Sequence, residues 1–296
     1  MATGDNNNLA VRRYEKKFTA LLKAVYDTKA LFREAFGELQ ALDGVSDSEN
    51  AFYVKTSDNA VVMNAYDTDE DCAFGDRSKG DSRFGEMTEV KYVDVAVPYA
   101  WTWAIHEGLD RFTVNNDLAA AEADRFELQA KAKIRAFNTH QAAYLADVAE
   151  ITDVTIPETF DDDDILTVFD SLAAKYADLE VSEQLLAYVS PLIFNAVVNH
   201  PLNTTAKRGD ADISANKTTY FKGFKVIETP SSYFDDEAGH CMYTACERIG
   251  NAFTGINTAR SIDAIDFDGR ELQGAGKAGE YIIPDNRAAV GVVSFT

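Results

Sequence analysis

Several groups of residues have the types and spacing to do chemistry. Asp161–Asp164 sets four carboxylates in a row, the oxygen-rich material of a divalent-cation site. The same run opens a helical pattern, where acids complement the positive end of the helix dipole. Asp67-x-Asp69-x-Asp71 has the opening spacing of a calcium loop, but Cys72 stands where such a loop turns on Gly. His240-Cys241 with Cys246 offers soft ligands without the second ligand pair of a zinc site. Gly274-Ala275-Gly276-Lys277 is similar to the end of a phosphate cradle. The first Gly of that motif falls at Glu271, however, and Ala278 stands where Ser or Thr must hold magnesium. His106, His140, His200 and His240 lie in separate segments, and His140 sits mid-helix, the usual place of a packed structural histidine. There is no Gly-x-Ser-x-Gly elbow, and no Gly-x-Gly-x-x-Gly stands after a strand as a dinucleotide fingerprint requires. The expectation is a chain with no catalytic residues, no cofactor and no metal. An acidic cytoplasmic metal-dependent hydrolase built on Asp161–Asp164 is the alternative from a different functional class.

These candidates must be positioned by the elements around them. The longest is residues 115–150, which lack Gly and Pro and begin with the N-cap residues Asn115, Asn116 and Asp117. Phe126, Ala130, Ile134, Phe137, Gln141, Tyr144 and Val148 form a stripe at helical spacing. Such a helix spans about 50 Å at roughly 1.5 Å per residue, a strut. Residues 9–42 give a second helical pattern, from Tyr14 and Phe18 to Leu39 and Leu42, ended by Asp43-Gly44.

Between them, 52–57 and 60–66 read as strands, 67–83 as an exposed acidic tip, and 86–104 as a long strand returning from it. Together they make a protruding hairpin with little core of its own, which needs a neighbour to lie on. Residues 98–112 read as an aromatic connection whose Trp101 and Trp103 pack in the core.

Residues 151–261 read as a compact α/β unit. It comprises a helix over 161–178, a strand over 182–190, a helix over 191–200 opened by Pro191, and strands over 221–230 and 241–250. The remainder reads as short strands alternating with Gly-rich turns.

At 296 residues with 46% hydrophobic content, the chain can bury a sizeable core. No apolar run is long enough to cross a bilayer, and the first 17 residues have no apolar signal region, so a cytoplasmic, membrane-free protein is expected. Three cysteines, an odd number, point to free thiols. A net charge of −21 argues against wrapping nucleic-acid phosphates and suits a protein that must not stick to nearby DNA. Residues 11–33 run against this balance, with Arg12, Arg13, Lys16, Lys17, Lys23, Lys29 and Arg33. They form a basic arm able to dock on another copy's acidic body, or a solvated helix face.

The order of elements, with the phrases VKYVDVAVPYAW, SEQLLAYVSPLIFNAVV, YFKGFKVIETPSSYF and INTARSIDAI, resembles the major capsid protein of tailed bacteriophages. That α+β fold is shared with herpesvirus capsid proteins and encapsulins. The resemblance covers nearly the whole chain and implies four parts. Residues 1–44 would be the N-arm and 45–92 the extended β-hairpin loop. Residues 93–150 with 262–296 would be the peripheral domain with its spine helix, and 151–261 the axial domain.

It implies a structural protein whose copies form the hexamers and pentamers of an icosahedral shell around double-stranded DNA, without sequence-specific binding. Assembly would take place in a host bacterium's cytoplasm and the product would reside in the virion. A portal, decoration proteins and, given the short stretch before the extended loop, a separate scaffolding protein are the implied partners. An encapsulin-type compartment is the alternative within the same fold. Lys79 lies where some members cross-link their subunits, but no supporting motif surrounds it.

Overall fold

The structure, a computed structural model of the chain, describes residues 29–42, 49–57, 61–69, 82–85, 87–114, 117–204, 212 and 215–296. In chain order the elements are α1 (Arg33–Phe36), β1 (Gln40–Ala41), β2 (Asn50–Thr56), β3 (Val93–Pro98), β4 (Trp101–Asp110), α2 (Leu118–Val148), β5 (Thr155–Ile156), α3 (Asp162–Asp178), β6 (Leu185–Val189), α4 (Pro191–Asn199), α5 (Pro201–Thr204), β7 (Tyr220–Phe221), β8 (Phe224–Glu228), β9 (His240–Cys246), β10 (Gly250–Asp263), β11 (Gly269–Ile282) and β12 (Gly291–Phe295). Gly44–Pro98 forms one unit, and Met1–Asp43 with Tyr99–Thr296 the other.

In the larger unit, β4, β10 and β11 make an antiparallel sheet edged by β1, in the order β1-β10-β11-β4. α2 packs on one face of it. The helix starts at Asp117, whose side chain accepts the Ala120 N–H at 3.3 Å. Its 31 residues span about 46 Å at roughly 1.5 Å each. The buried side differs from the expected stripe. Gln129, Asn138, Gln141, Ala142, Leu145 and Val148 are buried, whereas Ala130 is exposed and Phe126, Ile134, Phe137 and Tyr144 are half-buried. Asn138 faces inward because it binds a distant backbone: its amide donates to the Lys29 carbonyl at 2.8 Å and its oxygen accepts the Leu31 N–H at 3.0 Å.

The six-stranded sheet runs β5-β12-β9-β6-β8-β7. β6 is parallel to β8 and antiparallel to β9, and β12 is antiparallel to β9 and parallel to β5. α3 lays Ile165, Val168, Phe169, Leu172 and Tyr176 into this core, and α4 adds Ile193, Phe194, Val197 and Val198. The β7–β8 hairpin turns on Lys222 and Gly223, both at positive φ, the left-handed pair that a tight two-residue turn requires.

Several expectations are corrected. The helix expected over 9–42 is, where described, the single turn Arg33–Phe36. It stops at Gly37 (φ 71) because Phe32, Ala35 and Phe36 are buried while Leu39 is 45% exposed; the part before residue 29 lies outside the described residues. Val61–Tyr66 form no strand and are exposed. The strand expected over 86–104 is two, β3 and β4, in different sheets.

The connection expected over 98–112 is largely β4. Trp101, Trp103, Ile105, Glu107 and Leu109 alternate with exposed Thr102, Ala104, His106 and Gly108, so the two tryptophans are half-buried on a sheet face and not in the core. The Gly-rich turns expected near the end are inside β11. A Cβ on Gly274 would stand 3.2 Å from the Trp103 ring, and one on Gly279 2.7 Å from the Phe253 ring, so glycine makes room for large neighbours.

The smaller unit holds β2 paired antiparallel to β3. Beyond them the two arms meet again: the Asp67 N–H donates to the Arg83 carbonyl at 2.9 Å, and the Tyr66 and Phe84 rings lie 5.2 Å apart.

Candidate functional site

The residues singled out by sequence do not converge. Asp161 and Asp164 cap α3 reciprocally: each side chain accepts the other's backbone N–H at 3.0 Å. Their oxygens serve the helix, as the dipole reading expects. His200 lies beside them but uses its ring for structure. Nδ1 accepts the Leu202 N–H at 3.1 Å, so Nε2 carries the proton and donates to the Asp162 carbonyl at 3.1 Å. Asp67 accepts the Asp69 N–H at 2.9 Å, an Asx turn; Asp71, Cys72 and Lys79 lie outside the described residues.

Cys241 and Cys246 are five apart on β9, an odd spacing that puts them on opposite faces of the strand. Burial pushes the Cys241 thiol up to about 12, and its Sγ donates to the Val293 carbonyl at 3.3 Å, so it is an inert core thiol. Gly274–Lys277 is strand, and Lys277 lies 5.5 Å over the Tyr99 ring. Among the described residues no three His, Cys, Asp or Glu side chains gather as a cation site.

Chemistry that the motif search missed lies between α2 and the sheet beneath it. Glu107 on β4 pairs with Arg125 of α2 and accepts the Gln129 amide at 2.7 Å; the Arg125 hydrogen bond holds its carboxyl below the usual range. Lys133 lies 3.9 Å over the Trp103 ring. One rung further, Glu280 of β11 is buried, and both of its oxygens sit 3.3 Å from the Trp101 indole nitrogen. Trp101 stacks flat on His140 of α2, with centroids 4.0 Å apart and planes 10° from parallel. The only signal in the sequence is the two-residue period from Trp101 to Leu109, which puts an acid among aromatics on one strand face.

The other feature is a surface. In the Gly44–Pro98 unit, Val61, Met63 and Met87 are each more than 90% exposed, with Phe84 at 76% and Tyr92 at 70%. These apolar side chains lie in the unpaired segments beyond β2 and β3, and so much exposed apolar surface is suited to being covered. The arrangement can bury area against a partner.

No family model matches the chain, and no curated protein matches it. Solved structures do. A chain from the capsid of the cyanophage P-SCSP1u aligns with TM-score 0.69 at 9% identity, over 98% of this chain and 94% of that one. One from the mature capsid of bacteriophage PhiM1 aligns with TM-score 0.63 at 11% identity, over 92% and 88%. One from the capsid of a native GTA particle aligns with TM-score 0.59 at 11% identity, over 100% and 98%. At such identities the likeness is one of fold, and it runs from one end of the chain to the other: this chain has the α+β fold of the tailed-phage major capsid proteins.

Proposed function

We propose that the chain is the major shell subunit of a tailed-phage head, a building block and not a catalyst. Copies form hexamers and pentamers that close into an icosahedral shell around double-stranded DNA. The observation that carries this is the fold likeness over 98% of the chain to a capsid protein matched over 94% of its own length. In this reading 1–44 is the N-arm, 45–92 the extended loop, 93–150 with 262–296 the peripheral domain around α2, and 151–261 the axial domain, to whose sheet β12 contributes a strand. The exposed apolar ribbon gains its missing support from a neighbouring copy. A net charge of −21 keeps packaged DNA from adhering to the inner wall. Portal, scaffolding and decoration proteins are the partners this role implies, with assembly in the host bacterium and residence in the virion.

Electron microscopy of the purified chain, with sedimentation velocity, tests the proposal. Closed shells, tubes or hexameric rings are expected. A monodisperse monomer that carries stoichiometric metal would overturn it. Shells that enclose protein cargo and exclude DNA in the native host would turn it towards a compartment.

A further inference from the structure

Glu280 is the one carboxylate buried among the described residues, 6% exposed. Its hydrogen-bond donor is the neutral Trp101 indole, 3.3 Å from each oxygen. The far side of that indole carries His140, stacked at 4.0 Å, and its edge meets Phe137 at 4.9 Å. A single tryptophan thus joins β11 and β4 to α2, with a titratable group on either side.

Among the described residues no cation forms an ion pair with Glu280. From α2 the groups that face this joint are His140 and Tyr144, whose hydroxyl accepts the Ile282 N–H at 3.0 Å and interacts with the Arg287 guanidinium. From β10 it is Ala252, opposite Glu280 in register. Lys133 lies over Trp103 and Lys277 over Tyr99. Arg33 and Glu38 pair with each other beside a groove of about 380 Å³, which Phe137, Gln141 and Ala252 also line.

Ionised, Glu280 is a buried charge with one neutral donor, which is unfavourable; protonated, it packs dry. His140 pulls the other way, because its desolvation in the stack disfavours the imidazolium. Acid therefore favours the closed stack through Glu280, and loss of the Glu280 proton favours entry of water from the adjoining groove. We propose that Glu280, Trp101 and His140 form a proton-operated joint: protonation of Glu280 seats α2 on its sheet through Trp101, and ionisation loosens that seat. Burial raises the Glu280 carboxyl to about 7, which places the change in the neutral range, and burial lowers His140. The joint belongs to the single chain and holds whatever the chain assembles into.

The test uses the full chain with Trp103→Phe, which leaves Trp101 as sole tryptophan. Between about pH 5 and 9 its emission should shift to the red with a one-proton midpoint near neutrality, as water reaches the indole. Adding Glu280→Gln should flatten that titration, while adding His140→Gln should keep the midpoint and remove any quenching at the acid end. In the unmodified chain, amide exchange of residues 134–144, corrected for intrinsic rates, should be about tenfold faster at pH 8 than at pH 6, and pH-independent with Glu280→Gln. A transition that persists in the Glu280→Gln chain, or exchange protection of 134–144 that ignores pH in the unmodified chain, overturns the proposal.

Discussion

Glu280 also gives the fold a pH dependence that can be signed. Its folded value, about 7, lies above the roughly 4.3 of an unfolded Glu. A raised carboxyl contributes fully below the unfolded value, and the contribution is lost as pH rises through the folded one. Equilibrium urea unfolding should therefore show stability falling by roughly 3 kcal/mol between about pH 4.3 and pH 7 from this group alone. Glu280→Gln should remove most of that slope; an unchanged slope would contradict the assignment. Asp161 tests the opposite kind of site. As a cap it tolerates Asn, so Asp161→Asn should be near neutral and Asp161→Ala should lose about 1 kcal/mol. Chelator should change neither melting curve, whereas a metal site would respond to chelator and to Asn alike. At this scale the cap was legible in the sequence because its partners lie three residues apart. Glu280 was not, because burial of that carboxyl is decided by Trp101, 179 residues away.

Among elements, the same divide between near and far holds. Helices with local start signals, Asp117, Asp161 and Pro191, fall where spacing and caps put them. The inward face of α2 does not, because Asn138 is turned inward by a segment 107 residues earlier. Asn138→Leu should strand the Lys29 carbonyl and Leu31 N–H, cost about 2 kcal/mol, and raise amide exchange across 31–36 ahead of the rest of the chain. Uniform exchange would mean that the asparagine does not hold that segment. β10 and β11 were read as short pieces because glycine usually punctuates; here it accommodates Trp103 and Phe253, ring neighbours that strand pairing alone brings near. The alternation over Trp101–Leu109 was present in the sequence and was outweighed by its aromatic character.

For the whole molecule, the order of elements was the most legible property, since an order survives errors in any one boundary. What the sequence withholds is which surfaces are left uncovered, and those follow only from pairing. The ribbon invites a direct test. Asp67 and Arg83 are bonded across the two arms at 2.9 Å, so removing 67–83 leaves ends that a tight turn can join. That deletion should melt within a degree or two of the parent by circular dichroism and fail to form stable shells in electron micrographs. Normal shells would count against the role given to this loop. A different consequence follows from β12. It is inserted between β5 and β9, and its end bonds to Ile156, 140 residues earlier. On a ribosome adding about 5–20 residues per second, β5 waits on the order of ten seconds for that partner. Until then β9 is paired on one side only, with β6, and the six-stranded sheet is incomplete. The direction of synthesis therefore makes this sheet a late-closing one, whose two inner edges stay open until β12 arrives.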